Sequence, residues 1–177
     1  PPALPGSEVE TPFGSAFIYQ ERYDLSHQHG PRPLGDLLQQ PAAAATRLLS
    51  QPSAPFELAG LLFIDTETTG LMAGDFAFVV GVGAYEADSF VLRQYFLRQP
   101  NEEPAMLHLL AEQLNQASGL VTFNGRNFDM PLLTSRSQIN HLATTLAPPD
   151  LPHLDLLYPS RRIWRGRLEN CRLATIE

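Results

Sequence analysis

The sequence predicts an α/β fold, in which helices pack on a central β-sheet. From residue 58 onward, β-rich and helical segments alternate in the order three strands, helix, strand, helix, strand, helix, which is typical of α/β layers. The first of these strands, at residues 61–64, is a continuous apolar run of strand length. Such a run is expected where both faces of a strand are covered. No repeat of solenoid period occurs.

The following segments justify the remaining elements. Residues 76–85 and 89–97 are rich in β-branched and aromatic residues and are separated by a short polar stretch, so they predict a hairpin. A helix is predicted between residues 101 and 119, because its apolar residues recur at helical spacing. The other predicted elements are a strand at 120–123, a helix from 128, a strand at 151–157, a basic connection at 161–167 and a helix at 168–177.

Residues 1–55 are interpreted as an N-terminal extension that precedes an α/β domain at residues 56–177. The extension holds a predicted strand at residues 15–19, a polar loop and short helices within residues 34–49. Because residues 1–11 are rich in Pro and Gly, we expect them to be loosely held.

The charge balance limits the possible partners. The 177 residues include 19 acidic and 12 basic side chains, a net charge of −7, which argues against binding nucleic acid by bulk electrostatic attraction. All basic residues are arginines, and five of them fall within residues 161–172. This cluster indicates either phosphate contacts or a solvated helix face.

Several classes of protein are not expected. No apolar run approaches the roughly eighteen residues of a membrane-spanning helix, and the first residues do not resemble a signal peptide. The single cysteine, Cys171, cannot form an intramolecular disulfide. We therefore expect a cytoplasmic protein without a membrane partner. No G-x-G-x-x-G motif occurs, so no dinucleotide cofactor is expected.

Two acidic residues follow the first apolar strand, Asp65 and Glu67, with Thr66 between them. Side chains alternate along a strand, so both carboxylates are expected to point the same way. Like charges at this spacing repel each other unless a cation neutralises them, and Mg²⁺ and Mn²⁺ prefer carboxylate oxygens. The pattern indicates either a divalent-metal site or a solvated acidic edge.

A second polar group occurs at residues 124–129, where a strand leads into an Asn124-Gly125 turn and Asp129 begins a helix. If this strand neighbours the first one through a right-handed crossover, Asp129 lies beside Asp65 and Glu67. Taken singly, Asp129 is also a typical helix-terminal acid, and Asn124 is a typical turn residue.

These residues resemble the motifs of a known enzyme family. Residues 65–71, Asp-Thr-Glu-Thr-Thr-Gly-Leu, are similar to the first motif of the DEDD exonuclease superfamily, and Asn124-x-x-x-Phe128-Asp129 is similar to its second motif. More narrowly, residues 10–14, 29–30, 78–83 and 164–177 resemble the YprB-like, ribonuclease H-like domain proteins of bacteria. The resemblance implies a ribonuclease H-like fold, with a central mixed sheet of three antiparallel strands followed by parallel strands, flanked by helices.

The resemblance also implies a function, that of a metal-dependent 3′-to-5′ exonuclease acting on the 3′ end of DNA or RNA with two Mg²⁺ or Mn²⁺ ions. Its catalytic and metal-binding residues would be Asp65, Glu67 and Asp129, with Asp65 bridging the ions. Its substrate-binding residues would be Thr66, Thr68, Leu71, Asn124 and Phe128. Phe128 would either stack on a base or lie in the core, and the core is the preferred interpretation.

One part of the family pattern is missing. After Asp129, neither Tyr-x-x-x-Asp nor His-x-x-x-x-Asp occurs, so the domain is expected to stop before its last helix and its fourth acidic motif. Asp155 resembles a supporting acid after the fifth strand and is not assigned as the missing ligand. The alternative is a non-catalytic module on the same fold that binds nucleic acid or another protein.

Overall fold

A seven-stranded β-sheet forms the centre of the computed structural model, which describes residues 5–49, 57–70, 74–142 and 145–176. The strands in these ranges are β1 Ser7–Thr11, β2 Gly14–Asp24, β3 Gln28–His29, β4 Arg32–Pro33, β5 Leu61–Thr68, β6 Ala77–Glu86, β7 Ser89–Phe96, β8 Gly119–Thr122 and β9 His153–Asp155. Strands β3 and β4 form a separate small hairpin.

The order across the large sheet is β1-β2-β7-β6-β5-β8-β9. Neighbouring strands from β1 to β5 are antiparallel, whereas β5, β8 and β9 run parallel. The predicted α/β class and the mixed sheet of antiparallel followed by parallel strands are therefore confirmed.

Helices flank this sheet. The described ranges contain α1 Ala42–Thr46, α2 Glu103–Gln116, α3 Asp129–Ile139, α4 Leu157–Trp164 and α5 Leu173–Ile176. They also contain short 3-10 helices at Leu34–Gln39, Leu58–Gly60 and Pro100–Glu102. The predicted helices within residues 34–49 and between residues 101 and 119 are confirmed. None of the helices in the described ranges is long and apolar enough to cross a membrane.

Strand β5 lies inside the sheet, and its side chains alternate between two hydrophobic clusters. Leu62 and Ile64 join a cluster that includes buried residues of α2 and α3. Leu61 and Phe63 join a second cluster with α1 and the 3-10 helices before β5. Because successive residues of a strand point to opposite faces, the two faces of β5 are covered by different helices. This burial on both sides explains its continuous apolar run.

The N-terminal extension contributes two strands to the same sheet. Strand β1 pairs with β2 from Ser7↔Ile18 to Thr11↔Gly14, and β2 pairs with β7 along Phe17–Asp24. The expectation that residues 1–11 are loosely held is therefore wrong for Ser7–Thr11. Arg98 holds this hairpin, because its guanidinium donates to Glu8 and lies 4.4 Å from the centre of the Phe17 ring. The predicted boundary between residues 55 and 56 lies outside the described residues.

The last predicted elements differ from the observed ones. The strand predicted at 151–157 is confined to His153–Asp155, because Leu157 begins α4. The basic connection predicted at 161–167 is wrong for its first four residues, which belong to α4. Local sequence favoured a loop there, but burial of Leu157 and Pro159 anchors the helix. The helix predicted at 168–177 is observed at Leu173–Ile176.

Candidate active site

The candidate site lies where two parallel strands end. Strands β5 and β8 pair in parallel from Leu61↔Gly119 to Phe63↔Val121. Strand β8 ends at Thr122, whereas β5 continues to Thr68. The turn after β8 therefore lies beside the last residues of β5, and it leads to Asp129 at the start of α3. Ligands bind typically at such carboxyl ends of parallel strands.

The structure brings the second acidic motif to the first through Thr66. The Thr66 hydroxyl donates a hydrogen bond to Oδ1 of Asp129, a carboxylate that is only 7% exposed. Asp65 and Glu67, which alternate with Thr66 along the strand, are both exposed. Asp129 thus meets β5 on the residue between the two acids. A substrate contact by Thr66 would therefore have to form while its hydroxyl donates to Asp129.

The charges of these carboxylates interact. Although Asp65 is exposed as a residue, the protein around its carboxyl partly removes that group from water and raises its pKa above the usual range. The negative charges of Asp129 and then Glu67 raise that pKa further. The backbone N–H of Thr66 acts in the opposite direction. Because like charges at close range disfavour ionisation, the neighbouring negative charges at this edge of the sheet disfavour the ionised form of Asp65.

The donor chemistry fits a hard divalent cation, because the groups that raise the pKa of Asp65 are the carboxylate oxygens that Mg²⁺ and Mn²⁺ prefer. In the described ranges, however, no three His, Cys, Asp or Glu side chains lie close enough together to form a ready metal-binding group. Asp129 is turned to the Thr66 hydroxyl instead.

Asp155 organises the turn that carries Asn124. This buried carboxylate, 3% exposed, accepts hydrogen bonds from the backbone N–H groups of Asn124 at 2.7 Å, Arg126 at 3.0 Å and Leu157 at 3.1 Å. Asn124 has a φ of 67°, a left-handed conformation that Asn tolerates better than most residues. The acid at the end of β9 therefore positions the turn between β8 and α3 and the start of α4.

Sequence reasoning did not single out Thr122, Arg126 and His153, which lie in or beside this turn. His153 Nε2 lies 2.8 Å from Thr122 Oγ1, and Arg126 donates to the His153 carbonyl at 2.5 Å. Burial, followed by the charge of Arg126, lowers the pKa of His153 to about 4. A Cβ on Gly125 would lie 2.6 Å from the Thr122 side chain, so only glycine fits there without a shift of the turn.

Phe128 is 41% exposed, so the preferred interpretation of this residue as core is wrong. Phe128 directly precedes α3. The start of this helix is held by the buried Asp129, so the phenyl ring does not have to pack in the core. The neighbouring Asn127 amide lies 3.1 Å from the Tyr158 hydroxyl and donates to Asn124 Oδ1 at 3.3 Å.

The remaining predicted substrate-binding residues lie at the end of β5. Thr68 is the last residue of this strand, next to an irregularity in its pairing with β6. Leu71 lies outside the described residues. Their contacts with a nucleotide stay a prediction.

Comparison with known proteins gives the class. A family model described as the RNase H superfamily matches residues 62–177, which include every strand from β6 to β9 and the acids of both motifs. The chain therefore belongs to the RNase H superfamily, whose fold agrees with the mixed sheet described above.

One curated relative is the uncharacterized protein YprB of Bacillus subtilis (strain 168), which is 32% identical to this chain over 172 residues. The match covers 90% of this chain and 39% of the relative. The chain thus spans about two fifths of the relative's length.

Proposed function

We propose that this protein is a metal-dependent nuclease that removes nucleotides from the 3′ end of a nucleic acid by hydrolysis of phosphodiester bonds. The observation that carries the proposal is the placement of Asp65 and Glu67 at the end of β5, where Asp129 from the start of α3 bonds to the intervening Thr66. Desolvation and the charges of Asp129 and Glu67 raise the pKa of Asp65 there. Membership of the RNase H superfamily supports a nuclease type of chemistry.

Asp65, Glu67 and Asp129 are the residues that would hold the two Mg²⁺ or Mn²⁺ ions. When bound, such ions activate a water molecule and stabilise the charge that develops on the phosphate and on the leaving 3′ oxygen. The chain's own contribution is the position of its carboxylates. Strand β5 presents Asp65 and Glu67, and Asp129, at the start of α3, is bonded to Thr66 between them.

The neighbouring residues would position the substrate. Thr68 and Leu71 follow the acids of β5 and would contact the terminal nucleotide. Asn124 lies in the turn that Asp155 anchors, and Phe128 presents an exposed ring beside Asp129. An exposed aromatic ring can stack on any base.

The test is a cleavage assay on the protein at its full natural length. DNA and RNA oligonucleotides labelled at the 3′ or the 5′ end are incubated with Mg²⁺, Mn²⁺ or chelator. We expect stepwise shortening from the 3′ end that requires the metal and is lost in Asp65→Asn. Asp88→Asn is the matched control, because Asp88 is an exposed acid in the β6–β7 turn, at the opposite end of β5. Full activity of a folded Asp65→Asn variant would refute the mechanism.

A second candidate function is a non-catalytic module that binds nucleic acid or another protein on the same fold. The hydrogen bond from Thr66 to Asp129 favours it, as does the lack of a ready three-ligand group in the described ranges. Binding of an oligonucleotide without cleavage under any metal condition would support this second function over the first.

A further inference from the structure

The exposed face of α4 carries an aromatic ring and two arginines. Tyr158, Arg161 and Arg162 are exposed and lie three and four residues apart, so they are neighbours on one face of the helix. Leu157 and Pro159 are buried. The helix therefore presents one phenol ring and two guanidinium groups to solvent.

This face is attached to the candidate active site. The Tyr158 hydroxyl lies 3.1 Å from the amide nitrogen of Asn127, and the residue that follows Asn127 in the chain is the exposed Phe128. Asp155 accepts hydrogen bonds from both the turn after β8 and the first residue of α4. The position of α4 is thereby coupled to the turn that leads to Asp129.

The arginines on this helix form no salt bridge with any acidic side chain that the structure describes. Within the described part of the chain, salt bridges are formed by Arg22, Arg32, Arg93, Arg98 and Arg136, and none is formed by Arg161 or Arg162. Residues 161–172 hold five arginines and a single acid, Glu169. Although the whole chain has a net charge of −7, residues 161–172 form a positively charged segment that attracts a polyanion.

We infer that the surface formed by Phe128, Tyr158, Arg161 and Arg162 binds a single-stranded segment of nucleic acid and directs it to the candidate active site. The inference rests on the proposed function and adds the substrate class. Guanidinium groups bind phosphates, and exposed rings stack on bases. Bases are available for stacking only when they are unpaired, so the combination favours a single strand over a duplex.

The test measures binding without cleavage. The protein at full natural length, in EDTA, is titrated into a fluorescently labelled single-stranded oligonucleotide, and anisotropy gives Kd at several salt concentrations. The double variant Arg161→Ala/Arg162→Ala is expected to raise Kd about tenfold or more. It should also reduce the slope of log K against log salt by about 1.4, since each phosphate contact on a single strand contributes about 0.7.

Arg22→Ala/Arg32→Ala is the matched control, because it removes the same charge from exposed arginines on β2 and β4, which are paired with Glu86 and Asp36. The Kd of this control should lie within about twofold of the Kd of the unaltered protein, after allowance for the change in net charge. Arg161→Lys/Arg162→Lys should retain the salt slope. Phe128→Ala and Tyr158→Ala should each weaken binding about fivefold or more, as loss of a stacking ring does.

Three results would overturn the inference: equal binding by the arginine double variant and its control, tighter binding of a duplex than of the single strand, or no binding by the unaltered protein. A different result would refute the nuclease activity alone. In that case the protein would bind the oligonucleotide, and binding would depend on Arg161 and Arg162, but no metal would support cleavage. Asp65→Asn should lose cleavage and keep this binding.

Discussion

Asp155 offers a sharp test of how the candidate site is held together, because it supports the site without being a candidate metal ligand. Its carboxylate is 3% exposed and accepts three backbone hydrogen bonds, at 2.7, 3.0 and 3.1 Å. Asp155→Ala leaves all three N–H groups without this acceptor. A hydrogen bond to a charged group contributes about 1.5–3 kcal/mol, and water entering the space recovers part of it. We expect the free energy of unfolding to fall by about 3–5 kcal/mol.

Urea denaturation followed by far-UV circular dichroism measures this change. Asp155→Asn should lose only about 1–2 kcal/mol, because Oδ1 still accepts from Asn124 and Leu157 while the amide faces the Arg126 N–H. Asp150→Ala, an exposed acid just before β9, is the control and should change stability by less than about 0.5 kcal/mol. Equal stability of Asp155→Ala and the control would refute this account of the turn, as would an Asn variant that is no better than Ala.

Three further predictions concern the packing around the site. Burial lowers the pKa of His153 to about 4, so neutral His153 contributes fully to the free energy of unfolding only above its unfolded pKa of about 6.5. As pH falls from there towards 4, the protein should lose about 1–2 kcal/mol of stability after solvent screening is allowed for. Unfolding curves at neutral and acidic pH should show this loss in the unaltered protein and less of it in His153→Gln. Arg136→Ala removes the partner of Glu103, which is 3% exposed, so calorimetry should show a loss of about 3–5 kcal/mol, most of it recovered when Glu103→Gln is added. Gly125→Ala, whose new Cβ would lie 2.6 Å from a side chain of β8, should cost about 1–3 kcal/mol, whereas Gly81→Ala, with its nearest atom at 3.7 Å, should be tolerated in the same urea titration.

Local patterns predicted the elements that build the middle of the sheet. The continuous apolar run of β5, the hairpin of β6 and β7 and the apolar face of α2 are all confirmed. Each of these signals is contained in neighbouring residues, because strand length, alternation and helical spacing follow from backbone geometry alone.

Elements whose stability depends on distant partners were predicted less well. Strand β1 has no strong local pattern, and it forms because β2 extends the edge of β7 and Arg98 joins Glu8 to the same hairpin. The first half of the basic stretch is helical because Leu157 and Pro159 are buried against the rest of the fold, and Asp155 before them is held by the distant Asn124 and Arg126 N–H groups. Such contacts between residues far apart in sequence leave no periodic trace in a single chain.

For the candidate site, the sequence by itself determined the residue types: two acids that alternate at the end of an apolar strand, and a third acid after an Asn-Gly turn. Only the tertiary structure decided how they meet. It places Asp129 on the Thr66 hydroxyl, exposes Phe128 and joins the turn to α4 through Asp155 and the Asn127–Tyr158 contact. The physical reason is that side-chain direction and hydrogen-bond partners across parallel strands depend on the register of β5, β8 and β9, which is set by packing of the whole sheet.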